Sequence, residues 1–199
     1  GVEVRGQGEA PVLVAIGDSI TEGAGSTANA DKGWPEQLAA RLAARGQGWS
    51  VVNMGVGGGR LLREVSGPSA LSRFDRDVLS VAGVKAVVVL EGINDIGRAV
   101  QPGFTADAVT PEDLIAGYRQ LIARAHARGV KIYGGVIPPF EGAAYYHDKG
   151  EATRQAVNAW IRTSGEFDGV IDFDAALRDP AKPSQLRVEA HGGDHLHPN

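Results

Sequence analysis

Pro11 to Thr21 reads PVLVAIGDSIT, a run of branched and small apolar residues that halts at Gly17-Asp18-Ser19. Val12 through Ile16 is a continuous hydrophobic segment of strand length, the pattern of a strand buried on both faces of a parallel sheet. Such a strand delivers the residues after it to the carboxyl edge of the sheet, where open α/β folds bind ligands. Gly17 permits a sharp exit. Asp18, Ser19 and Thr21 are residues that open helices by accepting backbone N–H groups. Taken alone, the stretch is equally consistent with Ser19 as a simple helix cap.

Working outward, the same punctuation recurs. Val51 to Met54 reads as a second strand leading into the glycine run Gly55 to Gly59, and Lys85 to Leu90 as a third that runs into Glu91-Gly92-Ile93-Asn94-Asp95. Val130 to Val136 is a fourth strand, closed by Pro138-Pro139, and Gly169 to Phe173 a short fifth. Between them lie helical patterns. Pro35 opens PEQLAARLAAR, where Leu38 and Leu42 fall one turn apart, and Ser69 to Leu79 is helical in pattern. Thr110-Pro111-Glu112-Asp113 is a cap, proline and acidic-turn start for a helix that ends near Arg128 with Gly129 as its left-handed terminator. Glu151 to Ser164 is the next helix, ahead of the fifth strand. Strands alternating with helices predict right-handed crossovers and a three-layer α/β/α sandwich around a five-stranded parallel sheet. Residues 1–10 read as a polar N-terminal arm and residues 11–199 as one domain, without repeats or low-complexity linkers.

Composition narrows the partners. The chain has 199 residues, 43% of them hydrophobic, enough for one well-buried domain. A net charge of -4 with 20 scattered Lys and Arg residues gives no basic field for nucleic acid. Without cysteine, disulfides, thiolate metal sites and a thiol nucleophile are excluded. No apolar run approaches the ~18 residues of a membrane-spanning helix. The sequence begins at Gly1 rather than Met, which fits removal of a signal peptide and leans toward a secreted or periplasmic location.

The first three strands each end in a small polar cluster, and a fourth cluster, Asp194-His195-Leu196-His197, stands near Asn199. Gathered at one sheet edge, these supply a hydroxyl, backbone donors, an amide, a carboxylate and an imidazole, the parts of an acyl-transfer site. A serine hydroxyl needs an adjacent base to take its proton; His197 suits that role, oriented by Asp194. The negative oxygen of a tetrahedral intermediate needs preorganised donors, for which the N–H groups of Ser19 and Gly58 and the Asn94 amide are the candidates.

In order and wording, the four clusters resemble the four blocks of the SGNH hydrolases, the GDSL esterase/lipase family. Gly17-Asp18-Ser19 is similar to the first block, with Ile20 where the family name has leucine. Asn53-Met54-Gly55-Val56-Gly57-Gly58 resembles the second, Gly92-Ile93-Asn94-Asp95 the third, and Asp194 with His197 the last. The resemblance implies a flavodoxin-like fold and hydrolysis of carboxylic esters through an acyl-serine intermediate, with no metal or organic cofactor. It also implies that Asp194 and His197 lie on a loop close to Ser19. Members usually continue past the His-Pro pair with a closing helix; here either the chain is truncated or His197 sits on a poorly anchored tail. The family acts on acetylated sugars, short acyl and aryl esters, lysophospholipids and thioesters. With no long hydrophobic lid between Glu22 and Gly33 or Gln101 and Val109, small acyl groups are favoured, acetyl on a carbohydrate among them.

Other readings compete. Gly55 to Gly59 lacks the Gly-x-Gly-x-x-Gly spacing of a dinucleotide loop, and Asp75 lies in a helical pattern rather than at a strand end. His191, Asp194, His195 and His197 offer metal-ligating groups, but nothing upstream supplies an obvious further ligand. Ser69 lacks the second glycine of a nucleophile elbow. His126 reads as a surface residue near a helix carboxyl end, Asp18 and Asp95 as braces, and Trp34 and Trp160 as packing. Tyr145, Tyr146 and His147 either wall the cleft or pack under a loop. A module that binds esters or acetylated glycans without cleaving them would keep the scaffold but not need all of Ser19, Asp194 and His197.

Overall fold

The computed structural model describes residues 10–199, so the expected N-terminal arm lies outside the described residues except for Ala10. Five strands, β1 (Val12–Gly17), β2 (Ser50–Gly55), β3 (Val84–Leu90), β4 (Lys131–Gly135) and β5 (Gly169–Ile171), form one sheet in the order β2-β1-β3-β4-β5. Every pairing is parallel. This is the predicted five-stranded sheet, and it places β1 and β3 side by side in its interior.

The helices that matter for the site are α1 (Ser19–Glu22), α2 (Trp34–Ala44), α3 (Ala70–Phe74), α4 (Ile93–Gly97), α5 (Pro111–Ala127), α6 (Asp148–Thr163) and α7 (Phe173–Leu177). Right-handed crossovers on this strand order put α2 on one face of the sheet and α3, α5 and α6 on the other. Side chains agree with that division. Val14, Ile16, Val87, Val89 and Ile132 share a buried core with Phe74, Leu121 and Ile161, while Trp34 of α2 packs its ring 5.2 Å from Phe173 of α7. Trp160 packs against Tyr118 and Phe167, so both tryptophans serve the packing expected of them.

Element ends differ from the sequence reading for local reasons. The α5 helix is capped as expected: Thr110 and Asp113 exchange side-chain and backbone hydrogen bonds, and Gly129 takes φ +67°. The α6 helix starts earlier than Glu151, because the His147 ring accepts from the Gly150 N–H and caps it at Asp148. Phe173, read as the end of β5, instead begins α7, which Asp172 caps by accepting from Ala175 N–H. The segment read as one helix from Ser69 is α3 and then a wider π-helical turn over Asp75–Leu79.

The segment after α7 matters most. Residues 178–199 return from the β5 edge across the carboxyl side of the sheet toward β1. They are not a loose tail: Arg178 and Leu186 form an antiparallel bridge, as do His191 and Pro198, and the Asn199 N–H donates to Ala190 O at 2.9 Å. Midway, Glu141 accepts from Ser184 Oγ and Gln185 Nε2. Leu186 and His191 are buried. The sequence allowed a poorly anchored His197; these contacts anchor it.

Candidate active site

Gly17 ends β1 at a point where no side chain fits: a Cβ there would lie 2.0 Å from Thr21 Oγ1 and 2.5 Å from Leu90 O. The chain turns at once into α1, whose cap is Asp18, with Oδ1 accepting from the Ile20 N–H at 2.9 Å. Ser19 is therefore the first helical residue rather than the cap, and its hydroxyl stays accessible. Its Oγ lies 2.8 Å from His197 Nε2. Nδ1 of that ring lies 2.5 Å from Asp194 Oδ2, while Asp194 Oδ1 accepts from the Leu196 and His197 N–H groups. Burial would raise the Asp194 pKa, but those hydrogen bonds and the His197 ring outweigh it and hold the carboxyl below its usual range.

The remaining blocks converge on α1. Asn53 donates to Thr21 O and Glu36 Oε1 and accepts from the Gly55 N–H, fastening α1 to β2. The glycine run then makes a tight turn, with Gly59 N–H donating to Val56 O and Gly58 at φ +71°. Asn94, in the first turn of α4, donates from Nδ2 to Gly59 O at 2.9 Å and accepts from the Tyr145 hydroxyl at 3.2 Å. Among the described residues, the Ser19 and Gly58 N–H groups donate no hydrogen bond. Asn94 Nδ2 keeps a second N–H beyond the one given to Gly59. Tyr145 thus takes part in the site wall, one of the two roles open to it. His126 lies at the surface, as the sequence suggested, with its Nε2 2.8 Å from Asp168 Oδ2, a partner the sequence did not point to.

Beneath this layer sit three carboxyl groups, of which the sequence flagged Asp18 and Asp95 only as braces. Asp95 accepts from the Leu61 and Leu62 N–H groups, and burial pushes its pKa up to about 6. Asp18 is pushed up to about 7, again by burial first. Glu91 is driven well above the usual carboxylate range by burial and then by the Asp18 and Asp95 charges. Its Oε1 lies 3.3 Å from Arg73 Nη2, and that guanidinium also donates to Gly17 O and Met54 O. Neither Glu91 nor Arg73 carried a signal in the sequence: one reads as the end of a strand and the other as a helix surface. Among the described residues, no three His, Asp or Glu groups are arranged to hold a metal ion. His191, one of the residues weighed for a metal, accepts at Nδ1 from the Gly193 and His195 N–H groups, which braces the loop carrying Asp194 and His197.

A parallel α/β/α sheet that gathers Ser19, Gly58, Asn94 and His197 at its carboxyl edge has the layout of the SGNH hydrolases. The chain belongs to the GDSL-like lipase/acylhydrolase family, whose profile matches residues 15–199, and it is a carboxylic ester hydrolase. Solved structures show the same fold. AlinE4, an SGNH-hydrolase family esterase, superposes with a TM-score of 0.68 at 21% identity over 98% of this chain and 89% of that one. TesA gives 0.70 at 22% identity over 94% and 89%. A W215I variant of Axe2, an acetyl xylan esterase from Geobacillus stearothermophilus, gives 0.67 at 21% over 96% and 88%. No curated protein matches the chain. Among the described residues, no helix is long and apolar enough to cross a membrane.

Proposed function

We propose that the chain cleaves esters of short acyl groups, acetyl among them, through an acyl-enzyme on Ser19. The observation that carries this reading is the relay from Ser19 Oγ to His197 Nε2, 2.8 Å, and from His197 Nδ1 to Asp194 Oδ2, 2.5 Å. His197 takes the hydroxyl proton as Oγ attacks the ester carbonyl, and Asp194 steadies the resulting imidazolium. The oxyanion is received by the Ser19 and Gly58 N–H groups and the free N–H of Asn94. Collapse breaks the bond to the alcohol, which leaves with the proton from His197. Water then gives a proton to the same nitrogen as its oxygen attacks the acyl carbon; collapse breaks the bond to Oγ, which takes that proton back from His197, and the acid leaves.

The preference for short acyl groups rests on the surface. A long acyl chain needs an apolar channel or patch, since its burial drives its binding. The large hydrophobic residues exposed among the described residues are Val65, Val100, Val170 and Val188, scattered singly. Hydrolysis of a p-nitrophenyl ester series from acetyl to palmitoyl, with Ser19→Ala alongside, tests both parts. The expected result is a maximum at two to four acyl carbons and loss of hydrolysis in the variant. Full activity in Ser19→Ala would remove Ser19 from the mechanism, and a maximum at long chains would overturn the short-acyl preference.

A further inference from the structure

Arg98, on the turn after α4, lies over the glycine loop. A Cβ on Gly58 would meet its Nη2 at 2.7 Å and Ser66 Oγ at 2.6 Å. The guanidinium therefore stands against the α-carbon of the residue whose N–H is proposed to receive the oxyanion. It makes one hydrogen bond among the described residues, from Nη2 to Ser66 Oγ at 3.3 Å, and no ion pair. Its Nε is buried without a partner, as are those of Arg60, Arg73 and Arg187, so what sets Arg98 apart is the lack of a carboxylate. By contrast, most buried or half-buried guanidinium groups here are matched by carboxylates: Arg73 by Asp77 and Glu91, Arg154 by Glu151 and Asp174, and Arg60 by Asp107. Arg98 is held from behind instead, 5.5 Å from the centre of the Phe104 ring, which Arg60 also approaches at 5.9 Å. Unused donors on a planar cation, at the edge of a reaction centre, suit a carboxylate, sulfate or phosphate oxygen pair.

We propose that Arg98 is a specificity residue that binds a negatively charged group on the substrate, carried within a few bonds of the ester carbonyl. The reading rests on the ester hydrolysis proposed above. Another charge at this rim is Glu22, whose exposed carboxylate stands over Gly57, where a Cβ would meet Oε2 at 2.7 Å. Among the described residues the Arg98 guanidinium bonds to Ser66 and not to Glu22, so neither charge cancels the other by contact. Glu22 limits how far an anionic substrate extends along the loop and gives an internal control of opposite sign.

The test compares kcat/KM for two charged and uncharged pairs of like shape. One pair carries the charge on the acyl side, p-nitrophenyl hemisuccinate against p-nitrophenyl 4-methylpentanoate. The other carries it on the alcohol side, acetoxyacetate against acetoxyacetamide. The wild type is expected to favour the charged member of at least one pair, by about tenfold or more for a charge-assisted hydrogen bond. That preference should shrink with added salt, nearly vanish in Arg98→Gln, survive in part in Arg98→Lys and grow in Glu22→Gln. Equal hydrolysis of both members, insensitive to salt, overturns the proposal while leaving ester hydrolysis intact. So does a loss in Arg98→Gln that is equal for charged and uncharged esters. Hydrolysis of none of the four esters overturns the proposed function and this inference with it. The salt series on the wild type decides the matter even if the arginine variants fold poorly.

Discussion

At the scale of single residues, the site depends on how tightly its neighbours confine His197. Gly25, in the left-handed region at φ +88°, sits where a Cβ would lie 2.9 Å from His197 Cβ and 3.2 Å from the His197 and Pro198 carbonyls. Gly25→Ala should push the imidazole from Ser19, and about 1 Å of displacement costs roughly 100-fold in rate. Steady-state kcat on p-nitrophenyl acetate would show it; unchanged kcat would mean that the loop yields without moving the ring. Asp194→Asn should lower kcat on the order of 10⁴-fold, since an amide does not hold the imidazole in its working tautomer. Ser19, Gly58, Asn94, Asp194 and His197 were legible as candidates because each stands in a short motif whose wording survives without the fold. Arg98 and Gly25 were not, since their meaning lies in what touches them across the turn, and no spacing in the chain encodes that.

At the scale of elements, the long helices announced themselves and the single turns did not. The α5 helix carries a proline, a capping box and a left-handed glycine, all readable. Thr110→Ala removes the hydrogen bond to the Asp113 N–H and should cost about 1 kcal/mol, lowering Tm by roughly 2–4 °C in a chain of this size. A calorimetric Tm unchanged within a degree would show that packing, not the cap, holds that end. This helix also places Tyr118, whose hydroxyl donates to Glu91 O, so its start and the site's floor are connected. The α1, α4 and α7 helices span 4 or 5 residues each, too few for a period to show. Yet α1 and α4 present Ser19 and Asn94. Their existence comes from caps and tight glycines rather than from amphipathic spacing.

At the scale of the whole molecule, the buried acids set how stability responds to pH. Asp18 has a usual pKa of 3.8 and is raised to about 7 in the fold. Across that interval the native state keeps a proton that the unfolded chain has released. Stability from this group is therefore greatest below 3.8, declines as pH rises and levels off above about 7. Asp95, raised to about 6, acts in the same direction. Asp168, lowered to about 2 with hydrogen bonds from Ile132, His126 and Lys131 overcoming burial, acts oppositely and only in strong acid. Asp18→Asn keeps an acceptor for the Ile20 N–H but cannot ionise. Its unfolding free energy in urea should exceed that of the wild type by a margin that widens from pH 4 to 7; a margin independent of pH would show that Asp18 does not titrate in this interval. The five-stranded parallel sheet and the chain's family were legible in the sequence, whereas this acid cluster emerges only when β1, β3 and α4 close over it. The strap formed by residues 178–199 has its own consequence. Ser19 and His197 are 178 positions apart in sequence, and β5 is three inter-strand spacings from β1, about 14 Å. The proposed relay would therefore act as a tension gauge across the sheet: in mild denaturant, catalysis should fail while the far-ultraviolet dichroism is still native, and on refolding it should return last.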